Sequence, residues 1–323
     1  MKRSAAVLTF AAMLTAASAA AAVRGAWTAE VRDSNAMMQL NLSTHGSNHF
    51  GQPMAISDFA GLSEASARAA TQTPVNFELR REAGTVAFEG TFKDGFGAGQ
   101  FTFTPNSGYV ATLRNLGVSF DQSNRDDDEM LVMALMDVST PFIRSMQAEG
   151  YRESADGYLQ MRIFKVTPEL VRELRGLGFD HISADDLVAT RIHKVTPDYI
   201  RSMRAAGFAD LSLEQFVESR LHKATPEFAA QMKALGYGNV SFDRLVEFRI
   251  HGVTPDFIRD LADLGYTNIP AERLVEMRIH RVTPQYIREL KDAGYERVPV
   301  EKLIEMRIAG IDAAFVKKMN KRD

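Results

Sequence analysis

Four histidines stand 29 residues apart, at His193, His222, His251 and His280, and imidazole is a common zinc ligand. A shared ion needs each ligand within about 2.0 to 2.1 Å, whereas stacked helices lie about 8 to 10 Å apart. Equivalent histidines in successive repeats therefore cannot share a metal, and the expectation is no metal and no cofactor. Each imidazole is expected between two helices, near the C-terminal carbonyls of the first, where it can hydrogen-bond or meet the helix dipole. A longer ladder, Arg162, Arg191, Arg220, Arg249, Arg278 and Arg307, keeps the same step and persists where histidine gives way to Phe164 or Ala309. A guanidinium can cap carbonyls, or pair with carboxylates such as Glu247, Glu276 and Glu305 two residues earlier. It can also offer one donor per repeat to an extended acidic peptide or polyanion, which makes these six arginines the candidate binding residues. The capping use is favoured, because a repeat consensus mostly serves stacking. A second row, Arg172, Arg201, Arg259 and Arg288, is broken by Ala230.

Other constellations are looser. Asp126, Asp127, Asp128 and Glu129 precede an apolar stretch. They lack the glycine and spacing of a calcium loop, and negative charge at a helix N-terminus accounts for them. His45, His49 and Asp58 are the remaining polar group that a hydrolase could use. The chain has no cysteine, no G-x-S-x-G and no phosphate-binding glycine loop. No catalytic residue is assigned, and the expectation is a protein that is not an enzyme.

The elements that carry the ladders follow from local chemistry. In residues 183–211, SADDLVATRIHKVTPDYIRSMRAAGFADL, Ser183 is an N-cap with Asp186 three residues on, and Leu187, Val188 and Ile192 form an apolar stripe. This is a short helix A. Thr196 then caps helix B, Pro197 takes the first helical position, and Gly207 supplies the left-handed residue past its end. Phe208 and Leu211 are expected to fold back on the hairpin. Helices of about ten residues do not persist alone, so the hairpins must stack into an α-solenoid. Eight helix-B segments can be counted, from a degenerate copy at 106–117 and another at 139–150 to a last one at 312–319. That last copy has Ala313 in place of proline and a polar finish at Lys321 and Arg322.

Before the array, segments 27–32, 37–42, 75–80, 85–92 and 100–104 alternate apolar and polar residues, with turns at Glu82-Ala83-Gly84 and Asp94-Gly95. Residues 43–73 between them read as a Gly-, Ser- and Ala-rich stretch with a short helix near 62–70. At the start, Met1, Lys2 and Arg3 precede an apolar run over 5–22 ending in small residues, a signal-peptide pattern that predicts export and cleavage. Formal net charge is −3, with 12 basic against 17 acidic side chains over 1–158 and 26 against 24 over 159–323. Nucleic acid is not an expected partner.

The segment LVEFRIHGVTPDFIRDLADLGY over 245–266 resembles repeats appended to some bacterial membrane metallopeptidases of the beta-lactam-sensor (BlaR) type and found in free-standing exported relatives. WTAEVR and FELRREAGTVAFEGTF are similar to the β module that accompanies those repeats. The metallopeptidase half has no counterpart, since no H-E-x-x-H and no bundle of membrane helices is present. The resemblance implies an accessory or sensory module and transfers no catalysis.

Together these readings predict an α+β chain: signal peptide 1–22, a small antiparallel β domain over 26–104, degenerate first repeats over 105–158, and an α-solenoid of 29-residue helical hairpins with a C-terminal cap over 159–323. The expected role is a periplasmic or secreted protein-interaction or sensory module with an envelope protein partner and no stable membrane span after cleavage. The alternatives are small-molecule or cell-wall-fragment binding by the β domain, or a hydrolase with a cryptic site.

Overall fold

The computed structural model describes residues 22–31, 36–44, 49–119 and 127–320. The signal-peptide segment up to residue 21, His45, Asp126, Lys321 and Arg322 lie outside the described residues. The chain divides into two compact units, one ending at Ile163 and one starting at Phe164.

Alternation of apolar and polar side chains builds the N-terminal unit's sheet. Its strands are β1 (Val23–Val31), β2 (Met37–Thr44), β3 (His49–Ala55), β4 (Phe59–Ala60), β5 (Thr73–Arg81), β6 (Gly84–Lys93) and β7 (Phe96–Pro105). All pairings are antiparallel, in the order β3-β2-β1-β7-β6-β5-β4. In β1 every second residue from Trp27 to Val31 is buried. Asp94 and Gly95 both have positive φ, 50° and 84°, the two-residue turn whose twist matches the flanking strands. Trp27 packs edge-on to Phe77 and Phe88, and Phe77 stacks on Phe88 at 4.7 Å. The indole lies over Gly90, where a Cβ would come within 2.7 Å of Cζ2, so nothing larger than glycine fits beneath it.

Two strands lie where the sequence suggested a loop. β3 carries Gly51 and Pro53, residues that interrupt a strand pattern, and it is at the sheet edge where both are tolerated. The short helix expected in the same stretch is α1 (Glu64–Ala67). Four further helices, α2 (Ser107–Asn115), α3 (Asp127–Leu135), α4 (Thr140–Ala148) and α5 (Ala155–Ile163), belong to the sheet's unit. α3 packs across β1, β5, β6 and β7, burying Leu131, Met133 and Ala134. The first repeats are thus integrated with the sheet, because Met130 to Leu135 offers no polar side and a helix apolar all round must be covered. Glu82, in the β5–β6 turn, accepts from Thr140 N at 2.7 Å and from its Oγ1 at 3.0 Å. The Tyr109 hydroxyl donates to the Val138 carbonyl.

The C-terminal unit alternates B and A helices: α6 (Pro168–Gly176), α7 (Ala184–Ile192), α8 (Pro197–Ala205), α9 (Leu213–Leu221), α10 (Pro226–Met232), α11 (Phe242–His251), α12 (Pro255–Asp263), α13 (Ala271–Ile279), α14 (Pro284–Asp292), α15 (Val300–Ile308) and α16 (Ala313–Asn320). Thr167, Thr196, Thr225, Thr254 and Thr283 each accept from the N–H three residues on, with proline next in line. Gly178, Gly207, Gly236, Gly265 and Gly294 follow the B helices at φ between 90° and 108°. Like packs on like, α7 on α9, α11 on α13, α13 on α15, α12 on α14 and α14 on α16, which is an α-solenoid. Phe208, expected to fold back on its own hairpin, packs edge-on against Phe242 at the start of α11, further along the array.

Buried tyrosine hydroxyls recur as cross-braces. Tyr109, Tyr158, Tyr237, Tyr266 and Tyr286 each donate to a backbone carbonyl, and burial holds all five above the ordinary tyrosine range, helped at Tyr109 by the charges of Glu82 and Asp137. An unfolded tyrosine ionises near 10.0, while the folded ones stay protonated higher. Their contribution is therefore complete below pH 10 and lost as pH rises beyond it. Urea midpoints read by the fluorescence of Trp27, the one tryptophan, are expected to fall above pH 10. Tyr109→Phe is expected to cost about 1 to 2 kcal/mol at neutral pH, through the unpaired Val138 carbonyl, and to flatten that fall. An unchanged alkaline slope in the variant would dismiss Tyr109 as its source.

Candidate interaction surface on the helical repeats

Each arginine of the candidate ladder is engaged by the repeat before it. Arg162 Nε donates to the Met136 carbonyl at 2.8 Å, Arg191 Nε to Phe164 at 3.0 Å, Arg249 Nε to His222 at 3.3 Å, Arg278 Nε to His251 at 3.2 Å and Arg307 Nε to His280 at 3.3 Å. Arg220 uses Nη2 and reaches Lys194, at 3.0 Å. Five of the six also lie over an aromatic ring of the previous helix B: Arg162 over Phe142, Arg220 over Tyr199, Arg249 over Phe228, Arg278 over Phe257 and Arg307 over Tyr286, at 3.7 to 5.0 Å. The equivalent of those rings for Arg191 is Leu170, which has no π-face. The ladder caps carbonyls and couples neighbouring repeats.

The carboxylates proposed as its partners turn elsewhere. Glu247 pairs with Arg244, Glu276 with Arg273, and Glu305 with Lys302 at 2.7 Å. In the second arginine row Arg172, Arg201 and Arg259 pair with acids three residues earlier at the surface, contacts worth little in water. His193, His222 and His280 stand as C-caps and His251 ends α11. The backbone carbonyls of His222, His251 and His280 are what the next arginine uses, which is why Phe164 can serve as well. Among the described residues no group of three or more His, Asp or Glu could hold a metal ion.

Of the hydrolase constellation, His45 lies outside the described residues, and His49 and Asp58 stand apart. His49 begins β3 and Asp58 lies past its end, so an extended strand of about 20 Å separates them. Asp58 instead faces Arg81 at 3.7 Å. His49 lines a cavity of about 240 Å³ in the N-terminal unit with Leu40, Phe50, Val132, Leu135 and Met136. The acidic run expected at a helix start does open α3 at Asp127.

The feature that sequence reasoning misplaced sits beside the arginines. Ile192 was expected in the buried stripe of helix A, yet it and its equivalents Leu221, Ile250, Ile279 and Ile308 are 49 to 64 % exposed. Thr190 is buried, and two residues further on the chain has turned about 200° around the helix, which points Ile192 to the opposite side. Ile163 has the same exposed setting at the end of the N-terminal unit. A helical wheel anchored on Leu187 rather than on hydrophobicity alone would have found the row. Single exposed aliphatics are ordinary, whereas an aligned series of them makes a candidate interaction surface. Comparison with family models, curated proteins and solved structures gave no match.

If the arginines are couplers, Arg249→Ala should cost about 2 kcal/mol by stranding the His222 carbonyl and uncovering Phe228, with Arg249→Lys losing part of that. Thermal unfolding followed by far-UV circular dichroism measures this, and a loss below about 0.5 kcal/mol, the level of an ordinary surface change, would remove the coupling role.

Proposed function

We propose that the chain is an exported, non-catalytic protein-interaction or sensory module that binds an envelope protein through the aliphatic face of its C-terminal unit. One observation carries this reading: a large aliphatic side chain stands about half exposed at the same position of five successive repeats. About half of each of these side chains is left in water, and stacked repeats build extended binding surfaces by adding contact area unit by unit. The signal-peptide pattern supports export, and the resemblance of the repeats to those of beta-lactam-sensor metallopeptidases supports an accessory or sensory role. The net negative balance of the chain speaks against nucleic acid. Among the described residues no helix is long and apolar enough to cross a membrane.

The test is cross-linking capture from native envelopes with the full chain, comparing wild type with an Ile250→Glu, Ile279→Glu double variant. A specific protein recovered by the wild type and lost in the variant is the expected result. Identical recovery, or recovery of nothing by either, would sink the aliphatic face as the surface for an envelope partner.

The apolar cavity beside β3 favours a second reading, in which the N-terminal unit holds a small apolar ligand. Its volume of about 240 Å³ is just below the range typical of small-molecule sites. A ligand at a hundred times its Kd would stabilise by about 2.7 kcal/mol. A screen of small apolar compounds that leaves the melting temperature of this unit unmoved would eliminate that reading.

A further inference from the structure

We infer that the occupant of the aliphatic face is a second copy of this chain, paired about a two-fold axis that runs along the aliphatic row, each repeat against its own counterpart. The inference rests on the reading above that this face is a binding surface, and it names the partner.

Each A helix opens with a carboxylate, followed in α11, α13 and α15 by a cation, Arg244, Arg273 or Lys302, that pairs within its own helix. Seven residues before the exposed aliphatic, two turns and about 10 Å towards the N-terminus on the same side, stands a carboxylate: Asp185, Glu214, Asp243, Glu272 and Glu301, all exposed. Two residues after it, in the turn to helix B, stand the exposed cations Lys194, Lys223 and Arg281, with Gly252 and Gly310 in the other two repeats. Where A helices stack, α7 on α9, α11 on α13 and α13 on α15, the acidic and aliphatic positions align into bands, with the cations at their C-terminal edge interrupted by Gly252 and Gly310. Asp185, Glu214, Asp243, Lys194, Lys223 and Arg281 make no ion pair among the described residues. Glu272 and Glu301 are reached by Arg244 and Arg273, each at 3.5 Å, so the open charges concentrate in the first repeats.

The bands select both the partner and the axis. A foreign ligand would have to reproduce the repeat spacing, whereas a second copy matches it at every rung. Rotation about an axis along the row lays the acidic band of one copy on the basic band of the other and interleaves the aliphatic rows. Rotation about an axis across the row would set acid on acid. The allowed pairing is isologous, so Asp185 meets Lys194 of the second copy and Lys194 meets its Asp185, and the assembly closes as a dimer. Five stacked helices of nine to ten residues project roughly 600 Å² from their length and spacing. Side-chain relief brings that to the order of the ~800 Å² per partner of a stable interface.

Sedimentation equilibrium of the full chain over about 1 to 100 μM tests this directly. The wild type is expected to dimerise in this range. Ile250→Glu and, separately, Lys194→Asp should each raise the dissociation constant at least tenfold, with circular dichroism confirming that the fold is kept. Asp is well suited to the left-handed backbone of residue 194, whose φ is 56°. Combining Asp185→Lys with Lys194→Asp reverses both charges of the same contact and should restore pairing. A monomer throughout the range, a dimer indifferent to Ile250→Glu, or a double exchange that fails to restore pairing would each overturn the proposal. A monomeric wild type that still captures an envelope protein through the row would leave the platform reading standing without self-pairing. A dimer that captures none would do the reverse.

Discussion

The contact on which the array depends is the guanidinium that reaches from one repeat to the last carbonyls of the previous helix A. Nine-residue helices are too short to be stable alone, and their terminal carbonyls lack intrahelical partners. A single arginine from the next repeat meets such a carbonyl with a charged donor and, in five cases of six, covers an aromatic ring on the previous helix B. It thereby holds three elements at once: its own helix A, the preceding helix A and the preceding helix B. The acceptor is backbone, so the side chain at that position is free to vary, as Phe164 demonstrates. Where the ring is replaced by Leu170 the hydrogen bond remains, and Arg191 is the exposed member of a ladder whose other members are half-buried.

This coupling also dictates what faces outwards. With the arginine turned into the joint between repeats, the next residue along the helix is rotated by about 100°, away from the joint and from the inward Leu187 or Leu245 of its own helix. The aliphatic residue in every repeat keeps about half of its surface in water, whereas the arginine beside it is held in the joint. The residue type with the most evident chemistry serves the scaffold, and its apolar neighbour is the one left facing water.

Much of this was legible because it depends on local rules. Threonine followed by proline fixed the start of each helix B, glycine fixed its end, and period-two alternation found β1, β2, β5, β6 and β7. What escaped depended on tertiary context. Gly51 and Pro53 hid β3, since only its place at the sheet edge makes them acceptable. The turns between helices A and B use Lys165, Lys194, Lys223 and Arg281 in left-handed conformation, with φ from 55° to 58°, and no propensity announces lysine or arginine there; Gly252 and Gly310 alone gave a hint. The union of residues 105–163 with the sheet follows from α3, whose burial is decided by what surrounds it. The arginine ladder was read correctly in its capping role and incorrectly in its carboxylate partners, because Arg244, Arg273 and Lys302 lie closer on the helix surface to Glu247, Glu276 and Glu305.

The charge bands of the helix-A face arise from the same local physics as the caps. A carboxylate near a helix N-terminus and a cation near its C-terminus each complement the helix dipole, and each is favourable in isolation by a few tenths of a kcal/mol to about 1. Stacking similar helices in parallel then extends a preference of single helices into acidic and basic edges, broken by Gly252 and Gly310 on the basic side and offset by Arg244 and Arg273 at Glu272 and Glu301. The open charges concentrate in the first repeats, where the surface is complementary to itself under one two-fold rotation and repelled under the other. Self-recognition therefore requires no residues beyond those that stabilise the helices, except the aliphatic row between the bands, which is the one element that helix stability does not supply.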